Sequence, residues 1–270
     1  NRVIIAFDGV APVAKLKQQR DRRYKSVLEK DIFKQIQKKE INMQKDNEEF
    51  TVNKWNKTAI TPGTDFMKKM NTGVSSYFNN YNDNKTLNIV VSGTDVEGEG
   101  EHKIFEFIRN NVYEHKSNVT LIYGLDADLI MLCINHLPVT RNLYLYRETP
   151  EFIKSLNSDL NPNENYVLDI PMLSKEIKIG WNNRYQVGGL NNNSKLYDYI
   201  FICFFLGNDF LPHFPAMNIR THGIDTLLTI YSDTVGKKPN EYIISKDGKI
   251  NWNHLRPIIS FVAENENKYF

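Results

Sequence analysis

The sequence predicts an α/β fold with a mostly parallel central sheet that is flanked by helices. Short runs of β-branched and other apolar residues alternate along the chain with longer patterns typical of helices. This alternation indicates parallel strands joined by crossover helices. Acidic residues directly follow several of the apolar runs, and in an open α/β sheet those positions lie at the edge where ligands bind.

The first part of the chain contains two predicted strands and two predicted helices. A long charged stretch without Pro or Gly indicates the first helix, and a Pro-Gly turn ending in an acid indicates the start of the second. The polar residues 45–57 between the helices are expected to be mobile. The strands are Val3–Phe7 and Leu87–Ser92, and the helices are Val13–Asp46 and a second one from Asp65 to about Asn79.

The second part continues the alternation and ends in a hairpin predicted around Asp247-Gly248. Residues 153–195 are rich in Asn, Ser and Pro and are interpreted as a polar insertion with one weak helix near Met172–Ile179. The remaining predicted strands are Val119–Leu125 and Leu143–Arg147, and the helices are Gly100–Glu114, Ala127–Ile134, Leu196–Leu206 and Ile224–Tyr231.

Composition excludes several classes of protein. At 41% hydrophobic and 24% charged residues, the 270-residue chain can bury a sizeable core, and every apolar run is cut by charge too early to span a membrane. The two cysteines, Cys133 and Cys203, lie in apolar runs and do not have the spacing of zinc ligands. We therefore expect an intracellular protein without membrane contact, with the cytoplasm favoured over the nucleus. Because the chain opens directly on a strand and closes without a terminating signal, we also expect it to be incomplete at both ends.

Acidic residues form the strongest functional pattern in the sequence. Six of them follow predicted strands or an apolar helix, so the carboxyl ends of parallel strands would bring them together. Their mutual repulsion would cost several kcal/mol unless cations neutralised it. Each acid alone is more simply a helix cap or a solvated loop residue, but the set favours a site for two Mg²⁺ or Mn²⁺ ions. The predicted catalytic and metal-binding residues are Asp8, Glu99, Glu101, Asp126, Asp128 and Asp209.

A basic face follows the first of these acids. Its members are spaced so that they share one side of the first predicted helix. A run of charges usually means a solvated face, but cations one or two turns from a metal site suit a terminal phosphate. The predicted phosphate-binding residues are Lys15, Gln19, Arg22 and Arg23.

Several longer motifs resemble, in order, those of the Xrn family of 5′→3′ exoribonucleases. They run from Asp8 to about Tyr231. The motifs are Asp8-Gly9-Val10-Ala11-Pro12 with the basic helix after it, Ile60-Thr61-Pro62-Gly63-Thr64-Asp65, Gly98-Glu99-Gly100-Glu101-His102-Lys103, Tyr123-Gly124-Leu125-Asp126-Ala127-Asp128, Arg147-Glu148 and Phe205-Leu206-Gly207-Asn208-Asp209-Phe210-Leu211-Pro212-His213.

This resemblance implies a nuclease core of the PIN and flap-endonuclease type over residues 1–270. The six acids would hold the metal ions, and the four residues of the basic face would form the pocket for a 5′-monophosphate. The enzyme would degrade single-stranded RNA processively, releasing mononucleotides. Three departures stand out: an acidic strand and a stacking histidine of the family lie upstream of this chain, its stacking tryptophan has no identified counterpart here, and Glu97 replaces the family's usual Pro.

Two alternative functions stay open at this point. A structure-specific DNA flap endonuclease would use the same acids, but that family follows its last ligand with a glycine-rich helix-hairpin-helix. Here Asp209 is followed by Phe210-Leu211-Pro212-His213-Phe214-Pro215, which cannot form one. A catalytically inactive RNA-binding scaffold is the second alternative, and the presence of all six acids argues against it.

Overall fold

A computed structural model describes residues 1–43, 57–82, 87–147, 157–161, 164–189, 193–215 and 217–269. The chain divides into two compact units, Asn1–Glu106 and Phe107–Phe270. Among the described residues, each unit contains strands and helices, so the predicted α/β class is confirmed. Its finer form, one mostly parallel central sheet, stays a prediction.

In the first unit, two parallel strands are paired in register from Arg2↔Asn88 to Ala6↔Ser92. The pairing extends one residue further, because the amide of Phe7 donates to the carbonyl oxygen of Ser92 at 2.9 Å. The elements here are β1 (Arg2–Ala6), α1 (Val13–Met43), α2 (Asp65–Asn82) and β2 (Asn88–Ser92). All four match predicted elements to within a few residues.

The start of α2 has the local signals that predicted it. Thr64 precedes the helix, and its hydroxyl oxygen accepts a hydrogen bond from the amide of Met67 at 3.3 Å. The same hydroxyl donates to the carbonyl of Ala59 at 2.6 Å, which ties the turn to the helix. Gly63 has φ +90°, a conformation that favours glycine.

The predicted helix Gly100–Glu114 is wrong as a single element. It is split into α3 (Gly100–Asn110) and α4 (Val112–Ser117). Asn111 separates them with φ −123° and ψ 41°, and its side-chain amide donates to the carbonyl of Phe107 at 2.8 Å. Asparagine side chains compete in this way with the backbone bonds of a helix.

The second unit contains a three-stranded sheet in the order β3-β4-β5. The strands are β3 (Val119–Tyr123), β4 (Asn142–Arg147) and β5 (Tyr166–Asp169). β3 and β4 are parallel, whereas β5 is antiparallel to β4. The strand β5 was not predicted, because it lies in the polar stretch interpreted as an insertion.

The same polar stretch holds a longer helix than predicted. After α5 (Asp128–His136), α6 runs over Ile170–Tyr185 rather than over the short segment near Met172–Ile179. Asp169 caps it, accepting a hydrogen bond from the amide of Met172 at 2.9 Å. Only a few of its side chains are buried, so its apolar pattern is weak in the sequence although its cap is clear.

The rest of the second unit is helical and surrounds one apolar cluster. Trp181, Ile202, Leu227, Tyr231 and Leu255 are among the buried members of this cluster. The predicted hairpin is reduced to a single bridge between Ile244 and Ile250. The elements are α7 (Ser194–Cys203), a 3₁₀ turn (Phe204–Leu206), α8 (Gly223–Tyr231), a π-helical turn (Ser232–Gly236), α9 (Trp252–Glu264) and α10 (Glu266–Tyr269).

A fully buried polar network lies inside this unit. The ammonium of Lys195 donates to the carbonyl oxygens of Val235 at 3.2 Å and Glu241 at 2.5 Å. Asp198 accepts a 2.6 Å hydrogen bond from the hydroxyl of Tyr231, as well as bonds from backbone amides. The network therefore joins α7 to the π-helical turn and to the segment that precedes α9.

Some predictions fall outside the described residues, namely the segment 45–56, Glu148 and, within the predicted insertion, residues 153–156, 162–163 and 190–192. Among the helices that are described, none has both the length and the apolar character needed to cross a membrane.

Candidate metal centre and phosphate-binding face

In the first unit, the backbone holds the ends of β1 and β2 close together. Beyond β1, the amide of Gly9 donates to the carbonyl of Gly98 at 2.8 Å, and the amide of Gly98 donates to the carbonyl of Val10 at 2.9 Å. A Cβ at Gly9 would lie 1.8 Å from the carbonyl oxygen of Val96. Only glycine fits there, so residues 8–10 lie directly against the loop that follows β2.

This arrangement brings Asp8 to the first turn of α3. Its Oδ1 accepts a 2.7 Å hydrogen bond from the amide of Gly100, one of the helix-terminal amides that lack an intrahelical partner. A Cβ at Gly100 would lie 2.9 Å from the carbonyl oxygen of Ala6 and 3.3 Å from Oδ1 of Asp8. Asp8 therefore lies beside Gly100, the residue that Glu99 and Glu101 flank.

Lys103 links the end of β1 to the end of β2 by hydrogen bonds. Its ammonium donates to the carbonyl of Phe7 at 2.9 Å and to that of Gly93 at 2.8 Å. Burial lowers the pKa of Lys103, while the carboxylates of Asp8 and Asp95 oppose that shift. Lys103 belongs to one of the motifs that resemble the family, but the sequence alone does not indicate this structural role.

Glu99 is the most buried acid of the site, with 5% of its surface exposed. Its Oε1 lies 2.6 Å from the ammonium of Lys15, which is itself largely buried. Its Oε2 is buried and has no hydrogen-bond partner among the residues that the structure describes. A carboxylate oxygen in that state is costly unless a cation is close to it.

The imidazole of His102 lies near the carboxylates of both Glu99 and Glu101. Nε2 of His102 lies 3.9 Å from Oε2 of Glu99 and 3.7 Å from Oε1 of Glu101. One potential ligand atom from each of the three residues lies within 4.8 Å of the others. Sequence reasoning missed His102, although it stands directly after the paired glutamates.

The donor set fits a divalent cation. Two carboxylates and an imidazole are all metal ligands, and the buried Oε2 of Glu99 is an acceptor that an ion would satisfy. The first unit thus contains an acidic cluster able to hold a metal ion.

The other three predicted acids lie in the second unit, at the ends of the elements that predicted them. Asp126 follows β3, and its carbonyl accepts from the amide of Leu129 at 3.3 Å in the first turn of α5. Asp128 is the first residue of that helix. Asp209 follows the 3₁₀ turn in a loop where Oδ1 of Asn208 accepts from the amides of Phe210 and Leu211. That all six acids converge on one spot stays a prediction.

The four predicted phosphate-binding residues all lie in α1. Arg22 and Arg23 are exposed, and Gln19 is half-buried. Lys15 instead extends to Glu99, so the basic face begins at the acidic cluster. Glu97, which departs from the resembled motif, is exposed.

Comparison with known sequences gives two family matches. The family described as "XRN 5′-3′ exonuclease N-terminus" matches residues 1–149, which include the acidic cluster and the basic face. The family described as "Xrn1 helical domain" matches residues 190–270.

Individual relatives carry the name 5′-3′ exoribonuclease 2. The chain is 32% identical to the protein of Aspergillus oryzae in an alignment 316 positions long. It is 33% identical to that of Aspergillus fumigatus in an alignment of 318 positions and 31% identical to that of Candida albicans in one of 297. Each alignment covers 99% of this chain and 30% of the relative, so the chain spans less than a third of their length. Because the first family matches residues 1–149, which are more than half of the chain, the chain belongs to the Xrn family of 5′→3′ exonucleases.

Proposed function

We propose that this protein is a metal-dependent 5′→3′ exoribonuclease. The observation that carries the proposal is the buried carboxylate of Glu99. One of its oxygens pairs with Lys15, and the other has no hydrogen-bond partner in the described part of the chain. In a member of this family, the carboxylate of Glu99 at the start of α3 would bind a metal ion that takes part in the hydrolysis of a phosphodiester.

The metal ions would be Mg²⁺ or Mn²⁺, two of them. Asp8, Glu99 and Glu101 would hold them together with Asp126, Asp128 and Asp209, if the two small sheets form parts of one mostly parallel sheet. Bound divalent ions would stabilise the charges on the attacking and leaving oxygens of the phosphodiester. The chain's own contribution is to hold the carboxylates at the strand ends, through the bonds of Asp8 to Gly100 and of Lys103 to both strands.

The substrate would be single-stranded RNA with a 5′-monophosphate. Arg22 and Arg23 are exposed on α1 and would donate charge-assisted hydrogen bonds to the terminal phosphate, with Lys15 and Gln19 one to two turns before them. Because this face begins at Glu99, a bound 5′ end would keep its first phosphodiester close to the metal ions. Processive removal of mononucleotides, in an intracellular and preferably cytoplasmic setting, is part of the same proposal.

A DNA flap endonuclease is the nearest alternative, and one observation argues against it. The described residues after Asp209 form turns, with the amide of Asn208 donating to the carbonyl of Leu211 at 2.9 Å. The next helical turn begins only at Ile219. The described residues 209–215 and 217–218 therefore contain no helix that could begin a helix-hairpin-helix, the motif with which a flap endonuclease holds duplex DNA.

A comparison of substrates tests the proposal. We expect the protein with Mg²⁺ to release nucleoside monophosphates from 5′-phosphorylated single-stranded RNA and to leave a 5′-flap DNA of equal length uncut. Preferential cleavage of the flap would favour the endonuclease. RNA binding without cleavage would favour the inactive scaffold.

A further inference from the structure

We propose that His102 is a third metal ligand of the acidic cluster and that its nitrogen makes this site prefer Mn²⁺ over Mg²⁺. The inference rests on the proposed metal dependence and adds a residue that the six predicted acids do not include. It concerns the identity of the ion, which the carboxylates alone leave open.

The first observation is the state of Glu99. Its Oε1 is satisfied by the ammonium of Lys15, whereas its Oε2 is buried and accepts no hydrogen bond from any described residue. Buried polar atoms almost always have a partner, so this oxygen marks a position for a group that binds from outside the chain. A cation is the group that a carboxylate oxygen would accept.

The second observation is the position of the imidazole. Nε2 of His102 lies 3.9 Å from Oε2 of Glu99 and 3.7 Å from Oε1 of Glu101. Both distances exceed a hydrogen bond. Ligand atoms that share one ion at about 2.0–2.2 Å are separated by roughly 3 Å when adjacent and by roughly 4.3 Å when opposite. The two measured separations fall inside that range.

Local structure gives His102 a route to solvent. Glu99 precedes α3, while Glu101 and His102 lie in its first turn. The side chain of His102 is 47% exposed, compared with 6% for Glu99 and 15% for Glu101. An ion could therefore reach the two carboxylates past an imidazole that already faces the solvent.

The chemistry of the donor set decides the metal preference. Mg²⁺ binds oxygen ligands almost exclusively and loses its water reluctantly. Imidazole nitrogen is a good ligand for first-row transition ions, whose affinity for mixed nitrogen and oxygen sites rises from Mn²⁺ onward. Two carboxylates with one imidazole thus favour Mn²⁺, while carboxylates alone would not discriminate in this way.

Pulsed electron paramagnetic resonance of the Mn²⁺-loaded protein tests the assignment, because it detects nitrogen bound to the ion independently of activity. We expect a nitrogen hyperfine coupling in the wild type and its loss in His102→Gln. The exposed His222 provides a matched control, since His222→Asn should keep the coupling. Calorimetric titration should show Mn²⁺ affinity falling about tenfold or more in His102→Gln, with Mg²⁺ affinity changed much less.

A second variant separates ligation from a simple charge effect. His102→Asp replaces the nitrogen with oxygen, so we expect it to lose the nitrogen coupling and to shift the preference toward Mg²⁺. Absence of nitrogen coupling in the wild type, or equal coupling in His102→Gln, would overturn the inference. If RNA hydrolysis persists in that case, the proposed function stands and only the role of His102 fails. If nitrogen coupling is seen but RNA is not hydrolysed, His102 is a metal ligand and the proposed function fails.

Discussion

The ammonium of Lys15 lies 2.6 Å from Oε1 of Glu99, although the sequence predicted the first for a phosphate pocket and the second for a metal site. Both side chains are largely buried, at 14% and 6% exposure. The pair joins the basic face of α1 to the acidic cluster. A cation that binds Oε2 of Glu99 would repel this ammonium and weaken its attraction to Oε1, so Lys15 would become available to a phosphate.

We therefore predict that metal and 5′-phosphate binding reinforce each other through Lys15. Adding Ca²⁺, as a slow substitute for the catalytic ion, should tighten binding of a 5′-phosphorylated oligonucleotide by about 5-fold or more. Lys15→Met should remove most of this coupling and also tighten the metal itself, because its competitor is gone. Fluorescence anisotropy with and without Ca²⁺ measures both. Undiminished coupling in Lys15→Met would show that the pair is only structural.

End selection depends on Arg22 and Arg23 in the proposed function. Arg22→Ala or Arg23→Ala should slow the hydrolysis of 5′-monophosphate RNA far more than that of 5′-hydroxyl RNA, because the lost charge-assisted bonds exist only with the phosphate. Comparison of kcat/KM on the two substrates checks this. Equal losses would reduce the basic face to general attraction for the RNA backbone.

Position 9 requires glycine because the backbone of Val96 lies directly against it. Gly73, where a Cβ would meet nothing, is the control for the same substitution. Gly9→Ala would drive a Cβ against the carbonyl of Val96, so we expect a loss of unfolding free energy of at least about 2 kcal/mol. Gly73 is exposed within α2 and a Cβ there meets nothing within 4 Å, so Gly73→Ala should stabilise by about 0.5–1 kcal/mol. Urea unfolding of both variants is the measurement, and similar changes in both would refute the close approach.

Stability should depend on pH through Lys195. Burial lowers the pKa of this lysine from its ordinary 10.5 to about 8, against the opposing charges of Asp198 and Glu241. Between those values the unfolded chain holds a proton that the folded chain has lost, so this group's contribution to the unfolding free energy rises with pH. It is fully present above 10.5 and is lost as the pH falls through about 8.

Lys195→Met isolates that contribution. From about pH 7 to pH 9.5, the wild type should gain on the order of 1–3 kcal/mol relative to the variant. Tyr231 titrates in the opposite sense, since burial raises its pKa, but it is present in both proteins and largely cancels. Exposed Lys175→Met is the control and should show no such trend. A constant difference between wild type and Lys195→Met would mean that the buried lysine does not titrate in this range.

Much of the first unit could be predicted from the sequence because its signals are local. The apolar run of β1, the Thr64 turn before α2 and the acids at strand ends each depend on a few adjacent residues. The register that pairs Arg2 with Asn88 is a long-range property. It brings the carbonyls of Phe7 and Gly93 close enough together for Lys103 to donate to both. For the same reason the ion pair of Lys15 with Glu99 could not be foreseen.

The second unit was harder to predict where polar residues dominate. The strand β5 owes its pairing to β4, so its own composition gave little sign of it. The helix α6 was underestimated because a partly exposed helix needs few apolar residues. By contrast, Asp126 and Asp128 come after β3, and Asp209 comes after the 3₁₀ turn that follows α7. The apolar runs of these elements are local signals, so the elements were predicted to within a few residues.

The most direct test of the central claim uses RNA that has a 5′-monophosphate and carries one dye on its first base and a different dye on its last base. Its hydrolysis is followed in Mg²⁺ and in excess EDTA. The 5′ label should be released first as a mononucleotide in Mg²⁺ and not at all in EDTA. Asp126→Asn and Asp209→Asn should each slow release by several powers of ten while RNA binding survives, because each variant removes one metal-binding charge. Release in EDTA, or release of the 3′ label first, would contradict a metal-dependent 5′→3′ exoribonuclease.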